Sequence, residues 1–449
     1  MTPRAIAMHA LMQVARRGSF PDLLLDIYFK EHPELDSRDR ALATELVYGV
    51  IRWQGRLDWI IDQQVKISPD KIALPVRLVL RLAAYQLLFL DRIPPSAAVN
   101  EAVELIKTSQ PPHVVRFVNG VLRTISRKVE MLKEAVSQGS MAERLAVRYS
   151  YPVWLVQRWL SELGDEETEA FCAASNEVPP TDIRVNTLKT TVEEMANAFA
   201  ALGFKVKTGR LVPEALHLRS IRTGLASLSQ YERGEFQVQD EASQLVAHLL
   251  QPQPGEKVLD GCAGMGAKST HLAQLMENHG KITAVDNQGW KLIRLMENAQ
   301  RLQISCIEPL ESDLLKLEPT EKLGPFDRIL LDAPCSGLGV LRRNPDIKWR
   351  IRPKDFRRLH LLQRQMLSRV AAFLRPGGVL VYATCTFSSE ENQATIRTFL
   401  SEHSEFHLES ARPYLPPACK GTVDHEGNMQ TWPHRDGVDG FFAARLRRK

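Results

Sequence analysis

Lys257-Val-Leu-Asp-Gly-Cys-Ala-Gly-Met-Gly-Ala-Lys268 is a short apolar run that passes through three glycines into a segment of helical spacing, Ser269 to Glu277. This strand, turn and helix unit decides the fold. From Glu235 to the end of the chain short apolar runs alternate with helical segments: 257–260, 282–286, 304–309, 328–332 and 379–383, with a late pair near 405–410 and 440–446. Such alternation predicts a Rossmann-like, doubly wound α/β domain, a parallel sheet covered by helices on both faces. Ligands bind such sheets at the carboxyl ends of the strands.

The rest of the chain has a different character. Residues 1–140 read as all helix, because Val76, Leu80, Ala83, Leu87 and Leu90 recur at spacings of three and four, and no alternating strand pattern competes. Breaks are expected at Gly18, Pro33, Ser68-Pro69, Pro94-Pro95 and Pro111-Pro112. Residues 141–234 open on a Trp-rich helix and continue with extended pieces, 181–186 and 203–207, so they form a linker and a small α+β domain. Residues 235–449 are the third domain.

With 449 residues, 44% hydrophobic and 25% charged, the chain is a multidomain globular protein. Its longest apolar stretch, Leu78 to Leu90, is interrupted by Arg81 and predicts a buried helix instead of a membrane span. The N-terminus lacks a secretory pattern, so the cytoplasm is expected. Six cysteines are too sparse for a disulfide framework, and without a C-x-x-C pair no structural zinc site is expected. The net charge of +5 is mild, but Leu341 to His360 holds eight basic residues against two acidic ones. Arg342, Arg343, Lys348, Arg350, Arg357 and Arg358 are therefore candidates for phosphate contact. Trp349 among them either stacks on a base or anchors the loop.

The glycine turn fits an adenosine cofactor. Glycines let the backbone approach a ligand, and the following helix N-terminus favours a carboxylate. Asp286, twenty residues after Gly266 at the end of the next strand, suits the two ribose hydroxyls, and Ser312-Asp313 suits an adenine amine. The glycine spacing is G-x-x-G-x-G, not the dinucleotide G-x-G-x-x-G, which favours S-adenosylmethionine over NAD.

Two cysteines sharpen this. Cys335 lies in Asp332-Ala-Pro-Cys-Ser-Gly337 and Cys385 in Ala383-Thr-Cys-Thr386, each just past a predicted strand, whereas Cys172, Cys306 and Cys419 read as small hydrophobes. A thiolate beside a methyl donor suits alkylation of a pyrimidine at C5, a carbon that becomes nucleophilic only after something adds to C6. Asp332 is placed to contact the N3/N4 edge of cytosine. These residues alone leave open which thiol attacks.

With these motifs the chain resembles the bacterial RNA (cytosine-5) methyltransferases of the RsmB (Sun/Fmu) family. The family's motif I, D-x-C-A-A-P-G-G-K, appears here with Met265 in place of proline and Ala267 in place of the second glycine; D-A-P-C-S-G is intact at Asp332 to Gly337, and T-C-S appears as Thr384-Cys385-Thr386. The segment Trp432 to Phe442 resembles the family's C-terminal motif, and Asp39 to Arg52 resembles the signature helix of the RNA-binding NusB fold. The resemblance implies a NusB-like domain, then an RRM-like domain that lacks base-stacking aromatic motifs, then a methyltransferase domain. It implies that Cys385 is the nucleophile and Cys335 aids product release. It implies S-adenosylmethionine contacts at Cys262, Ala263, Gly264, Met265, Gly266, Ala267, Lys268, Asp286, Asp313 and Asp332. The expected protein is a monomer acting on small-subunit (16S) rRNA. The rival readings are the same chemistry on tRNA or another rRNA site, and a non-catalytic RNA-binding or antitermination protein with a relict methyltransferase domain. A dehydrogenase ranks last, since hydride transfer needs no thiol pair.

Overall fold

The structure, a computed structural model, describes residues 1–136, 138–219, 224–320 and 323–449. It divides into two compact units, one made of Met1–Asn176 with Lys348–Arg350, the other of Glu177–Ile347 with Ile351–Lys449.

The first unit is helical, and its breaks follow the local chemistry of the sequence. Thr2 caps Pro3–Arg17 by accepting from Ala5 N, and Gly18 ends that helix at φ 65°, a left-handed conformation glycine adopts without strain. Pro95 and Pro112 open the helices Pro95–Lys107 and Pro112–Arg127 at the position where a missing N–H costs nothing. Helix Leu74–Phe89, which contains most of the apolar stretch, is buried on nearly every side. No helix among the described residues is long and apolar enough to cross a membrane. The unit extends to Asn176, beyond the boundary expected near residue 140, because helices Met141–Tyr149, Val153–Leu163 and Asp165–Ala174 pack with it.

In the second unit, β1 (Thr181–Val185), β2 (Lys205–Thr208), β3 (Ala215–Arg219) and β4 (Phe236–Val238) form an antiparallel sheet in the order β2-β3-β1-β4. Helix Val192–Ala201 contributes Met195 and Phe199 to the core shared with Ile183, Leu216, Leu218 and Phe236. Strand β4 lies past Gly234, so the small domain takes a few residues expected in the third.

The larger sheet comprises β5 (Lys257–Asp260), β6 (Lys281–Asp286), β7 (Ile307–Glu311), β8 (Phe326–Asp332), β9 (Leu374–Thr384), β10 (Phe406–Glu409), β11 (Met429–Gln430) and β12 (Phe442–Arg448). Their order is β10-β12-β9-β8-β5-β6-β7, with β11 beside β12. Strands β5 to β9 pair in parallel and β12 runs antiparallel to β9. Helices Glu241–Leu250, Ala267–Leu275 and Gly289–Leu302 cover one face over Val258, Ile282, Leu330 and Val381. Helices Pro353–Ala371 and Gln393–Glu402 cover the other over Leu259, Ile329, Leu331 and Leu380. Burial on both faces explains why these strands read as unbroken apolar runs. Strand β7 starts at Ile307 instead of 304, because Gln303 ends the preceding helix at φ 60° and the chain needs three residues to return to the sheet.

The direction of winding reverses at β5: the chain goes from β5 to β6 and β7 on one side, then to β8 and β9 on the other. That switch point is where a doubly wound sheet opens a crevice.

Candidate active site

Strands β8 and β9 are parallel neighbours with Asp332 paired to Ala383, so the loops that follow leave the same edge side by side. The two thiols predicted from the sequence meet there, Cys335 Sγ lying 3.2 Å from Cys385 Sγ. The hydrogen bond to Cys385, together with burial, pushes the Cys335 thiol well above its usual range. Either sulfur can be the donor in this contact, and the two thiols share one hydrogen bond at the sheet edge.

Both loops are held from behind by groups that sequence reasoning did not single out. Glu391, fully buried, accepts from Ser336 N at 2.8 Å, from Ser336 Oγ at 2.5 Å and from Gln363 Nε2 at 3.0 Å. Gln363 Nε2 also donates to Pro334 O at 3.0 Å, and Ser336 Oγ lies 2.8 Å from Thr386 Oγ1. Asn392 Nδ2 donates to Thr386 O at 2.9 Å. A single buried carboxylate and its neighbours thus tie the Cys335 loop to the Cys385 loop. In the sequence, Glu390-Glu391-Asn392 looks like an ordinary polar helix start. No local signal marks Glu391 as the buried member.

The glycine turn lies at the carboxyl end of β5, beside β8. Gly264 has φ 56° with open space where a Cβ would be, while Gly266 at φ 83° packs so closely that a Cβ would collide with Leu295. Met265, which replaces the family proline, is 49% exposed, and Ala267 begins the helix Ala267–Leu275, where a side chain is tolerated. Asp286 closes the turn, its Oδ2 accepting from Gly264 N at 3.0 Å and its Oδ1 from Gln288 N at 2.9 Å.

Carboxylates stand at or just past four strand ends on this edge, Asp260 and Asp286 buried, Asp313 and Asp332 partly exposed. Burial raises Asp260 to about 6, although Ser269 Oγ donates to it at 2.7 Å. Asp313 caps a short 3-10 turn through Leu315 N at 3.1 Å and remains exposed on its outer side. Asp332 Oδ2 accepts from Lys268 Nζ at 2.7 Å, while its side chain stays 29% exposed. Burial would lower Lys268, but Asp332 more than offsets it and holds the ammonium above its usual value. Cys262 is raised by burial and by Asp260, which makes it an inert thiol. An acidic crevice with a glycine turn fits a cofactor that is cationic at its reactive end and carries ribose hydroxyls.

The basic segment divides. Arg342 is buried against Asp439 at 2.5 Å, and Arg343 pairs with Asp182, Asp240 and Asp439. Lys348 is buried in the helical unit, 4.0 Å over the Tyr151 ring and 3.2 Å from Asn176 Oδ1. Arg350 donates to Ser19 O, and Trp349 Nε1 donates to Ile51 O at 2.8 Å, which makes the tryptophan an anchor. Arg342, Arg343 and Lys348 are thereby corrected from phosphate candidates to internal structure, because a tract read along the chain gives no indication of which cations find buried partners. Arg352, Lys354, Arg357 and Arg358 face solvent.

His248 and His271 both donate a ring N–H to Glu214 Oε1, at 2.7 and 2.6 Å. This triad fastens β3's approach to helices Glu241–Leu250 and Ala267–Leu275.

A sheet that reverses order at β5, an acidic glycine-turn crevice at that point and two thiols in contact beside it define a group-transferring enzyme with the methyltransferase architecture. Comparison with known proteins narrows the class. A model of the 16S rRNA methyltransferase RsmB/F family matches residues 247–447, a NusB family model matches 1–127, and a ferredoxin-like domain model of the RsmF/B-like methyltransferases matches 151–222. The chain is 38% identical over 448 residues to the probable ribosomal RNA small subunit methyltransferase B of Synechocystis, covering 100% of both chains. It is 38% identical to the protein of that description in Bacillus subtilis, covering 99% of this chain and 98% of the relative. Among solved structures, PH0851 superposes with a TM-score of 0.81 at 31% identity, covering 99% of each chain. NSun6 from Pyrococcus horikoshii with SFG superposes with a TM-score of 0.60 at 25% identity, over 67% of this chain and 99% of that one. The chain belongs to the RsmB/F family of 16S rRNA methyltransferases.

Proposed function

We propose that this protein methylates C5 of a cytidine in small-subunit rRNA through a covalent adduct on Cys385. The observation that carries the reading is the pair of thiols 3.2 Å apart at the carboxyl edge of the sheet, with Asp332 on the neighbouring strand end. S-adenosylmethionine is the donor, supported by the acidic crevice and by the family. The backbone of Cys262–Lys268 and the side chains of Asp286, Asp313 and Asp332 hold it, and when bound it supplies an electrophilic methyl group.

Cys385 adds to C6, which makes C5 electron-rich enough to accept that methyl. Asp332, oriented by Lys268, accepts from the N4 amino group and fixes the base edge. A base then takes the C5 proton, the electron pair of that C–H bond re-forms the C5–C6 double bond, and the C6–S bond breaks with Cys385 leaving as thiolate. Cys335, 3.2 Å away, aids that release. The solvent-facing cations Arg352, Lys354, Arg357 and Arg358 contact phosphates of the RNA.

The test uses small-subunit rRNA carrying 5-fluorocytidine, because fluorine cannot be removed from C5 as a proton is. Denaturing gels should show a slow-migrating protein–RNA band with the wild type and none with Cys385→Ala. On unmodified rRNA, Cys335→Ala should accumulate the band that the wild type resolves. A band with Cys385→Ala and none with Cys335→Ala would exchange the two roles.

A further inference from the structure

Three aspartates from separate elements meet in the second unit: Asp182 in β1, Asp240 at the cap of helix Glu241–Leu250, and Asp439 in the loop before β12. All three are buried, with side-chain exposures of 1%, 6% and 1%. Two consecutive arginines from the segment that leaves Cys335 enter among them. Arg343 donates to Asp439 Oδ2 at 2.7 Å, to Asp240 Oδ2 at 2.9 Å, to Asp182 Oδ2 at 2.5 Å and to Pro180 O at 3.1 Å. Arg342 takes the other oxygen of Asp439 at 2.5 Å and donates to Gly437 O at 2.9 Å.

The residue after Asp439 touches the thiol loop. Gly440 N donates to Gly339 O at 2.8 Å, and Gly339 N donates to Cys385 O at 2.9 Å. This contact has no room for a side chain, since a Cβ on Gly339 would collide with Gly440 O and lie 2.9 Å from Cys385 O. A continuous path of short contacts thus runs from the arginine pair through Asp439, Gly440 and Gly339 to the backbone of Cys385. A cluster of five charges, four of them buried, is a poor source of net stability, and what it supplies is a fixed position.

We propose that Arg343 and Asp439 form a positioning pair for the methyl-transfer site, setting the height of Cys385 through the Gly440–Gly339 contact. The proposal rests on the reading of Cys385 as the nucleophile. A sulfur displaced by about 1 Å loses its line of attack on C6, and misplacement of that size costs roughly 100-fold in rate. The arginine fork matters for its shape, because one lysine ammonium cannot reach three carboxylates and a carbonyl together.

The experiment measures single-turnover adduct formation by the full chain on 5-fluorocytidine rRNA, with S-adenosylmethionine affinity measured by calorimetry. Arg343→Lys should slow adduct formation by roughly 100-fold while RNA KM and cofactor affinity stay at wild-type values. Gly339→Ala alters the far end of the path without touching a charge, and it should give the same pattern if Arg343→Lys fails to fold. Adduct formation at the wild-type rate in a folded Gly339→Ala variant would overturn the positioning role. So would a rise in RNA KM with kcat unchanged, which would make the cluster part of RNA binding. Absence of any adduct with the wild-type enzyme would instead strike the reading of Cys385 as nucleophile.

Discussion

The thiol pocket and the cofactor crevice share one sheet edge but are built differently. Around the thiols the fixing groups are buried side chains, with Glu391, Gln363, Ser336, Thr386 and Asn392 bonding one another and the two loops. Around the glycine turn the fixing contacts are largely backbone to Asp286, Met265 is exposed, and Asp313 and Asp332 keep open faces. The surroundings of the thiols are closed, so the fold itself holds the two sulfurs in place. The other half presents accessible carboxylates instead.

Glu391→Ala tests the closed half and should have the largest effect. It takes the acceptor from the buried Ser336 N and one of two partners each from Ser336 Oγ and Gln363 Nε2, at a cost of roughly 3 kcal/mol of stability and about 100-fold in kcat. Urea denaturation and steady-state turnover read the two effects, and unaltered S-adenosylmethionine affinity would show that the halves are separable. A fall in cofactor affinity as large as the fall in kcat would break the comparison.

Asp286→Ala tests the open half. Loss of the carboxylate should weaken S-adenosylmethionine by about 1.5–3 kcal/mol, the worth of hydrogen bonds to a charged group. Calorimetric titration decides, and wild-type affinity would remove Asp286 from the cofactor site.

The smallest effect is expected at the exposed end of the basic segment. Arg357→Gln with Arg358→Gln should weaken RNA binding and lower the slope of log K against log salt by about 0.7 for each phosphate that is no longer neutralised. Arg342→Gln should instead reduce stability, because it leaves Asp439 Oδ1 without its charged partner and Asp439 held by Arg343 alone. Equal salt slopes for both variants would mean that the division between buried and exposed cations has no bearing on RNA.

Much of this site was legible in the sequence because its chemistry is local. A strand, a glycine turn and an acid at the next strand end are read within thirty residues, and the motifs Asp332 to Gly337 and Thr384 to Thr386 name the two thiols. Helix boundaries were equally local: prolines at first-turn positions and Gly18 act on the residues beside them. The parallel strands could be placed because burial on both faces makes them continuously apolar.

The relations between residues distant in sequence belong to the tertiary structure alone. The 3.2 Å approach of Cys335 and Cys385 depends on β8 and β9 lying side by side. The burial of Glu391 depends on Gln363 and Ser336 arriving from two other segments. Arg343 could not be told from Arg357 along the chain, since both are arginines in a basic tract. One meets three carboxylates brought from β1, a helix cap and the loop before β12, whereas the other faces solvent. Short-range patterning specifies elements and motifs, because propensity and capping act over a few residues. Ion-pair partners and buried acceptors are specified only when packing excludes water from groups that the sequence keeps far apart.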